Sequence, residues 1–174
     1  MQACWCWSQA ILPMPFSFDL LPVVGFTGLM AAAAFEDLRK LVIPNAVVVG
    51  LCALWPLHLA TGPGFTLAGG LNAVGCAMAV FFCGALLFSR GFIGGGDVKL
   101  LAAATLWAGP AWTPMLLVVT AVLGGVLTLV LLFSATVRAA FSWARAVAVR
   151  SVPVPYGVAI AAAAVIVTVP PNLP

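Results

Sequence analysis

From Leu41 to Ser89, and again from Leu100 to Val137, the sequence contains no Asp, Glu, Lys or Arg. A soluble domain alternates apolar and charged positions so that one face of each element meets water; these runs do not. A helix crosses the roughly 30 Å of bilayer hydrocarbon with about 20 apolar residues at 1.5 Å each. The runs are therefore read as membrane-spanning helices in series. Composition agrees: 64% of the 174 residues are AVILMFWYC, 6% are charged, and the mean hydropathy is +1.22. The expected fold is all-α, a polytopic membrane protein.

Apolar stretches between polar punctuation predict spans at 20–36, 42–60, 66–88, 98–109, 113–134 and 153–170, about six transmembrane helices. The fourth is too short to cross alone, so it is expected to be a short or broken element that borrows from the glycines before it. Residues 1–19 hold Trp5, Trp7, Phe16 and Phe18 broken by Pro13 and Pro15. That composition fits an aromatic segment at the membrane interface or residues ahead of the mature start. With no Lys or Arg in 1–18, no cleavable signal is expected. Residues 20–174 are expected to form a single domain.

The seven basic residues fix the orientation. Arg39 and Lys40 follow the first span, Arg90 and Lys99 flank the start of the fourth, and Arg138, Arg145 and Arg150 lie between the fifth and sixth. All fall on one side, which the positive-inside rule assigns to the cytoplasm. Residues 136–151, with three arginines among Phe141, Trp143 and alanines, predict an amphipathic helix on the lipid surface. The net charge of +3 is too small and scattered for phosphate neutralisation, so no nucleic-acid partner is expected. Cys4, Cys6, Cys52, Cys76 and Cys83 form no C-x-x-C pair, which speaks against a zinc site or a disulfide framework.

Only four carboxylates are present: Asp19, Glu36, Asp37 and Asp97. The last three share the basic side, and ionisable groups at membrane depth are functional hypotheses by default. Each also has an ordinary structural explanation. Asp37 can be balanced by Arg39 and Lys40, and Asp97 can cap the helix that follows it. In combination they suggest more, because peptide hydrolysis uses two carboxylates that share a proton, one taking a proton from water while the other donates to the scissile carbonyl. Gly94, Gly95 and Gly96 would let a substrate backbone approach an extended segment. The single histidine, His58, falls on the opposite side, which disfavours a Ser-His-Asp triad. Gly94–Gly96 with Lys99 lacks both the P-loop pattern and the dinucleotide fingerprint.

Asp37-Leu38-Arg39, Ile43-Pro44-Asn45, Gly94-Gly95-Gly96-Asp97-Val98-Lys99-Leu100-Leu101 and Val154-Pro155-Tyr156-Gly157-Val158-Ala159-Ile160 occur in this order. Together they resemble the type IV prepilin peptidases, GxGD aspartyl peptidases, and especially the short form of tight-adherence (Flp-type) pilus systems. The resemblance implies an intramembrane aspartic-type endopeptidase whose catalytic pair maps onto Asp37 and Asp97. It would remove the leader of prepilins at the cytoplasmic face of the bacterial inner membrane. Gly94, Gly95, Gly96, Lys99, Pro44, Asn45, Tyr156 and Gly157 map onto motif or substrate-contacting positions. Prepilins, membrane lipid and the pilus assembly machinery are the implied partners. The paired cysteines of the long form's methylating domain are missing, so cleavage without methylation, no cofactor and no metal are expected. Two rivals from other classes stand beside this reading: a proton-coupled transporter or channel using the same carboxylates, and a non-catalytic pilus-assembly scaffold of the same fold.

Overall fold

A computed structural model describes residues 20–61, 66–141 and 154–169. The aromatic segment 1–19, the connection at 62–65 and residues 142–151 of the expected amphipathic helix lie outside them. Five helices follow in order: α1 (Leu20–Lys40), α2 (Asn45–Thr61), α3 (Leu67–Ser89), α4 (Gly95–Phe141) and α5 (Tyr156–Thr168). Three stretches, Leu21–Lys40, Leu67–Ser89 and Gly95–Ser134, are long and apolar enough to cross a membrane. The chain is a polytopic membrane protein of all-α class.

The expected break between a fourth and a fifth span is present, but the connection is shorter than expected. Residues 110–112 are helical, so α4 consists of two helices that meet across a kink at Gly109, the residue that leaves helical geometry, at φ 66° and ψ 176°. Glycine tolerates that conformation. Pro110 follows it, where a missing N–H does no harm at the start of a new helical run, and Thr113 donates its hydroxyl to the Gly109 carbonyl at 2.7 Å. The chain reverses here. Asp97 and Leu101 from the first half line the same cavity as Leu117 and Thr120 from the second, whereas a straight helix would separate Asp97 from Thr120 by about 35 Å.

Packing follows from side-chain size. α5 lies against α1 and α4 through buried Ala159, Ala161, Ala163 and Ala164, small residues that let helices approach closely where lipid supplies no hydrophobic drive. Phe26, Met30, Leu51, Leu100 and Leu116 fill the centre. α3 packs mainly on α4 and leaves Leu71, Phe82 and Leu86 outward, as a lipid-facing helix should. Cys52, Cys76 and Cys83 are free thiols.

Two helix ends prepare the site. α3 stops in a Schellman turn: the Phe92 N–H donates to the Leu87 carbonyl, the Gly91 N–H to Phe88, and Gly91 adopts φ 76°. α1 stops in the simpler left-handed form, with the Leu41 N–H on the Asp37 carbonyl at 2.9 Å. Here the left-handed residue is Leu41 itself, at φ 53°, a conformation that costs a non-glycine residue about 1–2 kcal/mol. The turn it makes leads directly into Ile43-Pro44-Asn45.

Candidate active site

Glu36 and Asp37 are neighbours in sequence but point about 100° apart on α1. Glu36 pairs with Lys40 at 2.8 Å, one turn along the helix. Asp37 turns inward and is buried, and the backbone amides of Gly157 and Val158 are directed at its carboxylate. Those amides stand in the first turn of α5, where N–H groups lack helical partners and the helix dipole favours negative charge. Asp37 Oδ2 itself is enclosed without an aligned hydrogen bond among the described residues. Gly157 is the reason the carboxylate fits: a Cβ there would lie 2.8 Å from Asp37 Oδ2 and 3.0 Å from Ile43 Cδ1.

Asp97 arrives from α4. Gly94, not Asp97, caps the helix, its carbonyl accepting the Val98 N–H at 3.2 Å. Asp97 is the third helical residue and reaches back to the Gly94 amide, the acidic half of a capping box. The glycines are also less extended than the sequence suggested: Gly95 and Gly96 already belong to α4. What they provide is room. A Cβ on Gly94 would meet Asp97 Oδ2 at 2.8 Å, one on Gly95 the Phe88 ring at 3.3 Å, and one on Gly96 would meet Ile43 at 3.3 Å.

The two carboxylates act on one another electrostatically and line a single open cavity of about 620 Å³. Its wall also holds Gly94, Gly95, Gly96, Lys99, Asn45 and Tyr156. Lys99 donates to Asn45 Oδ1 at 3.1 Å, which ties the start of α2 to the first turns of α4. Pro44 stands behind this wall, half-buried, and its carbonyl accepts the Val47 N–H to begin α2. The Tyr156 hydroxyl pairs with Thr128 Oγ1 at 3.4 Å, whose own proton goes to the Gly124 carbonyl. Residues 37–45, 88–99 and 154–157 thus converge at one end of the bundle, with Arg39, Lys40, Arg90 and Lys99 around it. His58 is far from them: it stacks on Trp107 with ring centroids 4.9 Å apart, about 20 Å along α2 from Asn45.

Sequence reasoning missed two contributors. The Gly157 and Val158 amides carry no residue-type signature, and the strained Leu41 corresponds to no turn residue. Two carboxylates on one open cavity wall are groups able to exchange protons with a molecule held there. Residues 24–129 match the family described as Type IV leader peptidase family. That segment contains both carboxylates and the glycine run, while Tyr156 and Gly157 lie beyond it. No curated protein and no solved structure matches the chain.

Proposed function

Because this chain belongs to the type IV leader peptidase family, an aspartic-type prepilin peptidase family, we propose that Asp37 and Asp97 are its catalytic pair and that it cuts the leader from type IV, Flp-like prepilins. The observation that carries this is the meeting of two carboxylates, sixty positions apart in the chain, on one cavity at the basic end of an apolar bundle. One carboxylate takes a proton from water as the oxygen attacks the scissile carbonyl. The other, protonated, gives its proton to the carbonyl oxygen, forming a neutral gem-diol. Collapse of that diol breaks the C–N bond and passes a proton to the departing amine, restoring the shared proton.

The rest of the chain takes supporting roles. The α5 amides hold Asp37, the Gly94 amide holds Asp97, and the Lys99–Asn45 bond fixes the cavity wall. Gly94, Gly95, Gly96 and Gly157 keep space beside the carboxylates, and Tyr156 borders the entry. Positive-inside reasoning puts this end at the cytoplasmic face of the bacterial inner membrane. Six membrane passes, counting the two halves of α4 separately, give both ends of 20–174 the outer side. Residues 20–174 act as a single intramembrane peptidase domain. Pilus assembly proteins are its proposed neighbours. A proton relay across the membrane is disfavoured, since Phe26, Met30, Leu51, Leu100 and Ala104 fill the bundle beneath the carboxylates.

The test co-expresses the chain with an Flp-type prepilin and follows leader removal by gel shift. Asp37→Asn and Asp97→Asn, at matched membrane abundance, are expected to abolish it. Cleavage persisting in either variant removes that residue from the mechanism, and a wild-type chain that cuts no prepilin favours the scaffold.

A further inference from the structure

Between α1 and α2 the chain runs through Val42, Ile43 and Pro44 without forming helix or turn. Ile43 precedes a proline, and the proline ring holds the residue before it to extended backbone. Leu41, Val42 and Ile43 all line the cavity that holds the two carboxylates. Both ends of the stretch are fixed. The left-handed Leu41, at φ 53°, turns the chain out of α1, and the buried Ile43 side chain is wedged between α4 and α5. Ile43 Cβ lies 3.3 Å from where a Cβ on Gly96 would stand, and its Cδ1 3.0 Å from one on Gly157. Gly96 precedes Asp97 and Gly157 abuts Asp37, so the stretch is held in place relative to both carboxylates.

Its hydrogen bonding is anomalous. Backbone N–H and C=O groups are matched almost without exception, most of all in a membrane protein. Two other turns at this cavity follow the rule: the Gly94 carbonyl accepts the Val98 N–H, and the Val154 carbonyl accepts the Tyr156 N–H. Val42 and Ile43 do not. Among the described residues neither makes a backbone hydrogen bond, so two N–H and two C=O groups in succession are left unmatched in a stretch that lines the cavity.

We propose that Val42 and Ile43 form an edge strand to which the prepilin backbone adds beside the cut bond, through main-chain hydrogen bonds. The inference rests on the peptidase reading above and adds how the substrate is held. The occupant follows from what each chain lacks. In a helix the scissile carbonyl is tied to the amide four residues on and covered by adjoining turns, so the bond becomes accessible only when that region is extended. Extension frees N–H and C=O groups that hydrocarbon cannot satisfy. The stretch at 42–43 offers the complementary set, and strand addition joins the two. The strain at Leu41 then has a use, since continuing α1 as a helix would withdraw Val42 and Ile43 from the cavity.

Two measurements test this. First, the purified wild-type chain is given synthetic prepilin peptides in which successive residues on each side of the cut are replaced by the matching α-hydroxy acids. Each replacement turns one backbone N–H into an oxygen and leaves the side chain unchanged. A strand presents its hydrogen-bonding groups to a given neighbour at every second residue, so kcat/KM is expected to fall about threefold to tenfold at alternate positions and to stay within twofold between them. Equal effects at all positions, or none, overturn the proposal. Second, the Asp97→Asn chain carrying Val42→Cys as its only cysteine is co-expressed with prepilins bearing single cysteines around the cut. Val42 is 62% exposed, so the replacement leaves the core intact. Disulfide trapping is expected to peak at one substrate position, to be weaker two residues to either side, and to be absent at the positions between, whose side chains leave on the opposite face. Trapping at intervals of three to four, equally at all positions, or at none overturns the strand. A wild-type chain that cuts the unmodified peptide without alternation fails the strand alone; one that cuts no prepilin fails the peptidase reading, while trapping still decides how the peptide is held.

Discussion

Replacing Gly157 by Ala adds one methyl group at the point where α5 meets Asp37. That methyl carbon would stand 2.8 Å from Asp37 Oδ2, 2.9 Å from its Cγ and 3.0 Å from Ile43 Cδ1. Carbon atoms in contact normally lie about 3.5–4.0 Å apart, so the carboxyl carbon must retreat by roughly 0.6–1 Å. The retreat takes Asp37 away from the α5 amides and alters its placement relative to Asp97. Misplacing a reacting group by about 1 Å costs on the order of 10²-fold in rate, and that is the expected loss in the first-order rate of leader removal at matched membrane abundance. The backbone is not the cause, since alanine is favoured over glycine in helices by up to about 1 kcal/mol. Gly125→Ala is the control, because nothing lies within 4 Å of its new Cβ. It should cut within twofold of wild type and melt at the same temperature or higher. A Gly157→Ala chain that cuts within threefold of wild type would refute the view that a close fit between α5 and Asp37 sets the reaction geometry.

Gly94→Ala crowds the other carboxylate in the same way, with Cβ 2.8 Å from Asp97 Oδ2. Only the mobile end of that side chain has to move, so a loss of roughly tenfold in cleavage is expected, smaller than for Gly157→Ala; equal or greater loss would reverse the ranking. Gly109→Ala places a side chain in a region that glycine alone occupies comfortably. Thermal unfolding in detergent should show a destabilisation of about 1–3 kcal/mol, and an unchanged melting temperature would mean that the reversal in α4 is not held at that residue. Trp107→Phe keeps a ring against Phe26 and His58 but loses the indole bond to the Leu51 carbonyl, 3.0 Å long and buried. It is expected to lower stability by about 0.5–1.5 kcal/mol with cleavage per folded molecule unchanged.

The helices were legible because charge punctuates them. Arg39, Lys40, Arg90 and Lys99 stand at or beside helix ends, and apolar length gave the rest. The break between α4's halves was legible from the Gly-Pro pair, but its tightness was not, because such a pair reads as a loop whereas Gly109 absorbs the reversal in one residue. Glu36 and Asp37 could be told apart only in part: helical rotation predicts different faces, but which face is inward depends on where α5 docks. The role of Asp97 as third residue rather than cap turns on the Gly94 carbonyl, and three equal glycines give no hint of which one caps. Backbone amides at Gly157 and Val158 leave no trace in residue type at all. They are products of tertiary placement.

The dependence of Asp37 on the start of α5 also has a consequence in time. Asp37 is synthesised early, and Gly157 leaves the ribosome 120 residues later, roughly 6–24 s at ordinary bacterial elongation rates. From the midpoint of that interval, when Asp97 is made, the growing chain carries both carboxylates, yet the amides that face Asp37 do not exist. Maturation of the site is therefore tied to arrival of the fifth helix in the membrane, and a nascent chain stalled before residue 154 would hold an unanchored carboxylate among its first helices.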